Sequence, residues 1–331
     1  MFDENTCYTL IQQYLSSVPL VLIGSGNSCA NGIPGMSYLA DELRKTLSDE
    51  YKHDPNWVRF MQNLDNGYDL EKAASEIVFC TQLVDAITAC IWNVISQYDL
   101  ELFSRLVGRT SMIGLAPLIK KILKAHPQSL DVITTNYDRL IEYSCDLQNI
   151  NLNSSTDGKY IQSITTTPRK CKGTVNLLKI HGSLDWFEDS QGHIIAIPLQ
   201  KSIPEGFKPK IITPGDSKFR RILHTPFREI LGQMDTLINS ANSFLFIGYG
   251  FNDEQNQEKI FSRTMQDKPI VVVTKNLSDE VIKQVKTQAK RHVIILEGDA
   301  PSKSIVQTDR GRCEIDSKIW CIDEFTEKVL S

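Results

Sequence analysis

The apolar run from Val18 to Ile23, ended at once by Gly24-Ser25-Gly26, constrains this chain more than any other feature. An apolar run without polar alternation suits a strand covered on both faces, as in a parallel sheet. A glycine-rich turn directly after such a strand is how nucleotide-binding α/β folds open. The chain has 331 residues, 41% of them apolar, enough for one large α/β domain or two modest ones.

The rest of the sequence continues the theme with one interruption. A helix is expected at Ser37 to Leu43, after the loop and a Pro-Gly break. From about 48 to 125 helical patterns such as Ala73 to Ser96 and Leu115 to Ala125 run on with no convincing strand, which predicts an inserted helical layer. Strand-helix alternation resumes at Leu130 to Thr134, with a helix from Asp138 to about Cys145. Residues 148–175 read as an extended loop or hairpin, Val175 to Ile180 as a strand, and 185–214 as a small β excursion. Thr225 to Ile238 is expected to be helical. Three further βα steps follow: strands at Phe244 to Ile247, Ile270 to Val273 and Val293 to Leu296, helices at Asp253 to Met265 and Ser278 to Lys290. The fold class expected is α/β, a Rossmann-like doubly wound parallel sheet with an inserted helical subdomain. The whole chain, 1–331, is read as a single domain with the helical insertion at about 48–125 and a loop/β excursion at about 148–214.

Bulk charge excludes some functions. With 36 basic and 40 acidic residues interspersed, for a net charge of -4, no global field draws the chain onto nucleic acid. No stretch has the length of a membrane span or the layout of an export signal, so a cytoplasmic location is expected. Eight cysteines (Cys7, Cys29, Cys80, Cys90, Cys145, Cys171, Cys313, Cys321) are scattered without a CxxC pair. They read as incidental thiols in a reducing compartment, with no metal expected.

Hydride transfer and NTP hydrolysis are both disfavoured. Gly24-Ser25-Gly26-Asn27-Ser28-Cys29 has two of the three glycines of GxGxxG and Cys in place of the third. Lys45 to Phe60 reads as helix and loop, not as a second strand ending in a ribose-binding acid, and Asp41 and Glu50 lie in the wrong context. No GxxxxGK[ST] motif is present.

Four segments in order resemble the sirtuin family, specifically the divergent sirtuin-like NADases of bacterial antiviral defence. Gly24-Ser25-Gly26-Asn27-Ser28 with Gly32-Ile33-Pro34-Gly35-Met36 is similar to the sirtuin loop over the cofactor. Thr134-Thr135-Asn136-Tyr137-Asp138 resembles its TQNID stretch, and Ile180-His181-Gly182-Ser183 the segment with the catalytic His. Ile247-Gly248-Tyr249-Gly250-Phe251-Asn252-Asp253 stands where sirtuins meet the adenosine half of NAD, and Gly298-Asp299-Ala300 resembles a motif at the adenine pocket. The four-Cys zinc ribbon of sirtuin deacylases has no counterpart, with only Cys171 near its place. Their acyl-lysine motif is not recognisable in Ile211-Ile212-Thr213-Pro214-Gly215.

The resemblance implies NAD as substrate and cleavage of its nicotinamide-ribose bond. Departure of nicotinamide needs positioning and charge stabilisation more than a strong acid. His181 is then the general base, Asn136 holds the ribose or the attacking water, and Asp138 stabilises developing charge or steers nicotinamide. Gly24, Ser25, Gly26 and Ser28 form the expected phosphate cradle, with Ile33, Pro34, Thr135, Gly248, Tyr249, Gly250, Asp299 and Ala300 as further cofactor contacts. Blander readings stand beside these. The glycines would be a tight turn, Asn136 and Asp138 an N-cap pair, His181 a satisfied core histidine, and Tyr249 a packing residue at a turn. Cys29 has no basic neighbour in sequence to make it a nucleophile, and the histidines at 53, 126, 193, 224 and 292 lie outside any motif.

Relatives of this kind imply an effector held inactive until it oligomerises or meets a second defence protein: an ATPase, an Argonaute-like or a nucleotide-sensing subunit. The competing functions are a sirtuin-type deacylase or ADP-ribosyltransferase and a non-catalytic NAD or ADP-ribose sensor.

Overall fold

The computed structural model describes residues 3–168, 171–213, 225–251, 254–264 and 266–330. In chain order it opens with α1 (Glu4–Tyr14), β1 (Leu20–Ile23) and α2 (Ser25–Ala30). The helical layer follows as α3 (Met36–Tyr51), α4 (Pro55–Asp65), α5 (Leu70–Ala74), α6 (Thr81–Val107) and α7 (Leu115–Ala125). Next come β2 (Leu130–Thr134), α8 (Leu140–Leu147), β3 (Asn151–Asn153), β4 (Thr156–Gly158), β5 (Gln162–Ile164), β6 (Thr174–Lys179), β7 (Gly182–Glu188), β8 (Ile194–Ala196) and β9 (Lys208–Ile211). The last part is α9 (Phe227–Ser240), β10 (Phe244–Ile247), α10 (Glu254–Thr264), β11 (Ile270–Val273), α11 (Asp279–Gln288), β12 (His292–Glu297), β13 (Ser304–Thr308) and β14 (Gly311–Ile315).

Nine strands form the main sheet in the order β14-β13-β12-β11-β10-β1-β2-β6-β3, parallel from β12 to β3 with an antiparallel hairpin at the β14 edge. Alternation of side chains across a strand divides the interior in two. Val21 and Ile23, Leu245 and Ile247, and Val271 and Val273 face the core shared with α1 and the helical layer. Leu20 and Leu22, Phe244 and Phe246, and Ile270 and Val272 face the core under α9 and α11. The protein is thus a Rossmann-like α/β fold with both faces covered, which explains the unbroken apolar strands.

Several expectations shift in detail. The glycine segment is not a loop of several residues: α2 begins at Ser25, with Gly24 as its extended N-cap. The pattern from Ala73 to Ser96 breaks at 75–80, where Ile77 and Phe79 are buried and Val78 is exposed. That two-residue alternation around β-branched residues suits extended chain better than helix. Residues 148–175 supply β3, an edge of the main sheet, and the β4-β5 hairpin. That hairpin joins β7, β8 and β9 in a five-stranded antiparallel sheet of order β4-β5-β8-β7-β9. The hairpin β13-β14 was not expected at all.

The reading of all eight cysteines as free thiols is corrected at two positions. Cys7 and Cys313, 306 residues apart, are joined in a disulfide that ties α1 to β14, while the other six are free. Neither spacing nor motif marks the pair, because only the docking of α1 beside the edge hairpin brings the sulfurs together. Among the described residues, no helix is long and apolar enough to cross a membrane. None of them form a group of three or more His, Cys, Asp or Glu placed to hold a metal ion.

Candidate functional site

From β1 the chain builds outward through β2 to β6 and β3 on one side, then returns to place β10, β11 and β12 on the other. The strand order therefore reverses between β1 and β10, the position beyond whose strand carboxyl ends open α/β sheets generally bind ligands. Two loops cross there with almost no space between their backbones. A Cβ on Gly24 would lie 2.6 Å from the Gly248 carbonyl oxygen, and one on Gly26 would lie 2.9 Å from it. Gly248 has φ +55°, and its own Cβ would meet the Asn27 nitrogen at 2.3 Å. The glycines are thus needed for loop packing, and the Gly26 N-H is already spent on the Gly248 carbonyl at 2.9 Å. Ser25 and Gly26 remain exposed at the start of α2.

Beside this crossing, the segment after β2 is fixed by buried hydrogen bonds. Thr134 Oγ1 donates to the Ile23 carbonyl at 2.8 Å and accepts from the Asn136 N-H at 3.1 Å. Asn136 Nδ2 donates to the Gly24 carbonyl at 2.9 Å and to Ser28 Oγ at 2.8 Å. A carbonyl only accepts, so the amide nitrogen has to face it, and both Nδ2 protons are then committed. Only Oδ1 is left for Asn136 to offer, as an acceptor. Ser28 Oγ in turn donates to Asp138 Oδ2 at 2.6 Å, and Asp138 Oδ1 accepts from the Leu140 N-H at 3.2 Å. Asp138 therefore both fixes the turn that leads into α8, whose N-cap is Arg139, and anchors the Ser28-Asn136 pair.

His181 lies one strand further along. Thr134 of β2 is paired with Lys179 of β6, so Asn136 and His181 each sit two residues past matched positions at neighbouring strand ends. The His181 carbonyl accepts from the Ile212 N-H at 2.9 Å, Tyr137 Oη donates to the Ile212 carbonyl at 2.5 Å, and the Leu184 N-H donates to the Tyr137 carbonyl at 3.0 Å. The turn after His181 needs Gly182: its φ is +82°, and a Cβ would lie 2.2 Å from the Lys210 carbonyl oxygen.

Behind these residues lies a buried ionic layer that sequence reading missed. Arg139 donates from its backbone N to Asp99 Oδ1 at 2.8 Å, from Nε and an Nη to Asp99 Oδ2 at 2.9 and 2.5 Å, and from its other Nη to Asp185 Oδ1 at 2.6 Å. Tyr143 Oη donates to Asp99 Oδ2 at 2.6 Å. Lys179, 1% exposed, donates to the Asp138 carbonyl and to Glu142 Oε1, the latter at 2.9 Å. The only signals in sequence are a lysine inside an apolar strand and an aspartate on a buried helix.

Burial pushes the Asp138 carboxyl above the usual carboxylate range, although Lys179 and the Ser28 hydrogen bond pull the other way. Burial also raises Glu142, against the pull of Lys179. An acid whose folded pKa exceeds its unfolded value of about 3.9 holds its proton more tightly in the folded state. Stability from this group is present at low pH and is lost as pH rises from about 4 through the raised value. Asp138→Asn is expected to flatten that fall, as read from melting temperature against pH; an unchanged slope would assign it to Glu142.

Residues 131–269 match the SIR2-like domain family. The matched span holds Asn136, Asp138, His181, Gly248, Tyr249 and Gly250, while the β1-α2 segment and Asp299 lie outside it. No curated protein matches the chain by sequence. Among solved structures, the chain is similar to a sirtuin described for substrate affinity: 15% identity, 99% of this chain and 98% of that one covered, TM-score 0.47. It is also similar to a mutant Sir2 homologue in complex with ADP-ribose, at 13% identity, 99% and 95% coverage and TM-score 0.49. A third is a Sir2 homologue in complex with NAD, at 14% identity, 100% and 96% coverage and TM-score 0.46.

Beyond the SIR2-like span's central residues, the remaining expected contacts are spread along the same sheet edge. Ile33 is 2% exposed, and its N-H donates to the Ser28 carbonyl at 3.1 Å, so it packs in the core. Pro34 and Thr135 are half-buried, and Gly250 is exposed after β10. The Tyr249 ring is 5% exposed, with ring centroids 5.3 Å from Phe246 and 5.2 Å from Phe251. Asp299 is exposed and Ala300 half-buried in the turn between β12 and β13. Asn252, Asp253, Pro214, Gly215 and His224 lie outside the described residues.

Proposed function

We propose that this protein is an NAD glycohydrolase, releasing nicotinamide and ADP-ribose. The observation that carries the reading is the convergence, at one switch point, of the Gly24-Gly248 crossing with Asn136 and His181 on neighbouring strand ends. The SIR2-like match over the segments holding Asn136 and His181 supports the same chemistry.

In this reading the crossing loops admit the dinucleotide's pyrophosphate close to backbone, and Asn136 Oδ1 accepts a hydrogen bond from the attacking water or a ribose hydroxyl. The C1′-N bond breaks as electrons pass to the nicotinamide ring, which leaves neutral, and water adds to C1′. His181 takes the proton that the water loses, directly or through a ribose hydroxyl. Asp138, both oxygens engaged by Ser28 and Leu140, acts as a positioning residue that orients Ser28 and through it Asn136. Draining NAD harms the host cell. The proposal therefore includes activation by oligomerisation or by a second chain, as an NAD-depleting effector of antiphage defence.

The test is incubation of the purified full chain with NAD over a range of protein concentrations, with nicotinamide and ADP-ribose quantified. Equal release of both without any peptide is expected, with His181→Ala at least about 100-fold slower at a similar melting temperature. Release that strictly needs an acylated peptide would replace the hydrolase with a sirtuin-type deacylase. Full activity in His181→Ala would remove the base assignment.

A further inference from the structure

We propose that the Asn27 carboxamide is a ligand-binding group of this site, donating a hydrogen bond to an acceptor oxygen of an ADP-ribose-type nucleotide. The inference rests on the nucleotide-binding reading above. Asn27 is 6% exposed, yet its Nδ2 has no hydrogen-bond partner. That is unusual for a buried amide, which in native proteins is nearly always paired. The neighbouring buried polar side chains are all engaged: Ser28 with Asp138 and Asn136, and Asn136 with Gly24.

The location gives the orphan its meaning. Asn27 stands in α2 between Gly26 and Ser28, and its backbone nitrogen is the atom that would lie 2.3 Å from a Cβ on Gly248. It is therefore at the crossing of the two loops that meet at the switch point. Its backbone groups are occupied: the N-H donates to the Gly24 carbonyl at 3.2 Å, and the carbonyl accepts from Asn31 Nδ2 at 2.8 Å. A leucine, with the same branching and the same number of side-chain heavy atoms, would fill a buried helix position without an orphaned donor. The carboxamide is thus unfavourable in the unliganded protein and gains its partner when an oxygen-rich ligand binds. Being uncharged, it takes a hydroxyl or phosphoryl oxygen equally well, so it contributes to holding the nucleotide and not to neutralising it.

The experiment compares the full-length protein with Asn27→Leu by calorimetric titration with ADP-ribose and by melting temperature without ligand. The expected result is an unliganded melting temperature at or above that of the unmodified chain, together with ADP-ribose binding about tenfold weaker or worse. Equal ADP-ribose affinity in both proteins overturns the inference, since Nδ2 then serves only an internal water. A folded Asn27→Leu protein with a clearly lowered melting temperature also overturns it, because Nδ2 is then paired within the fold. If Asn27→Leu does not fold, Asn27→Ala carries the binding comparison: weaker binding supports the assignment and unchanged binding overturns it. Absence of ADP-ribose binding by the unmodified chain defeats the nucleotide reading itself, and the Asn27 assignment with it. A loss confined to the variants has the opposite meaning.

Discussion

Asp99→Ala is expected to destabilise the protein by about 3–5 kcal/mol, the largest effect of any single side chain near the site. Asp99 is fully buried in α6 and accepts four hydrogen bonds: three from Arg139 and one from Tyr143. Its removal leaves the Arg139 guanidinium, 4% exposed, with Asp185 as its remaining anion. An uncompensated buried charge costs far more than the lost attraction between two exposed ions, which explains the size of the effect. Denaturant unfolding with an unchanged slope would measure it. A loss below about 1 kcal/mol would mean that water reaches Arg139 and that the pair is not buried in solution. Because Arg139 directly follows Asp138, the variant should also loosen the Asn136-Asp138 segment and reduce nucleotide affinity.

Gly248→Ala is the second large effect, expected at about 2–4 kcal/mol with loss of nucleotide binding. The added methyl would fall 2.3 Å from the Asn27 nitrogen and 2.7 Å from the Gly26 carbonyl carbon, both of them backbone atoms that cannot swing aside. The φ of +55° adds the usual left-handed penalty for a residue with a Cβ. The crossing has to open, and Gly24, Gly26 and Asn27 move with it. Gly173→Ala is the comparison, since it shares a positive φ, +68°, but a Cβ there meets nothing within 4 Å. Similar losses in the two variants would show that backbone conformation, and not the loop crossing, sets the cost.

The helical layer and β6 together fix the segment after β2. Asp99 from α6 holds Arg139, while Lys179 from β6 holds the Asp138 carbonyl and Glu142. The segment from Asn136 to Asp138 is therefore gripped from behind by charge and from the front by Ser28. Such over-determination is what a site needs to present one carboxamide oxygen in a fixed direction.

The sequence by itself determined the central strands, because a strand covered on both faces must be apolar throughout. Phe244 to Ile247 and Ile270 to Val273 were legible to the residue for that reason, and Leu130 to Thr134 was legible from its place in the strand-helix alternation although Asp131 interrupts its apolar run. It also marked Gly24, Asn136, His181 and Gly248 as strand-end positions, since glycines and polar residues directly after apolar runs have few other uses. The tertiary structure decided what no local pattern encodes. It set Gly24 and Gly26 to pack against Gly248 rather than leave Gly26's amide free, and it turned Asp138 toward Ser28. It brought Asp99 to Arg139 from 40 residues away and Cys7 to Cys313 from 306. The physical reason is the same in each case. Hydrophobic periodicity is a property of neighbours in the chain, whereas hydrogen-bond and ionic partners are chosen by which strand ends and helices meet in space.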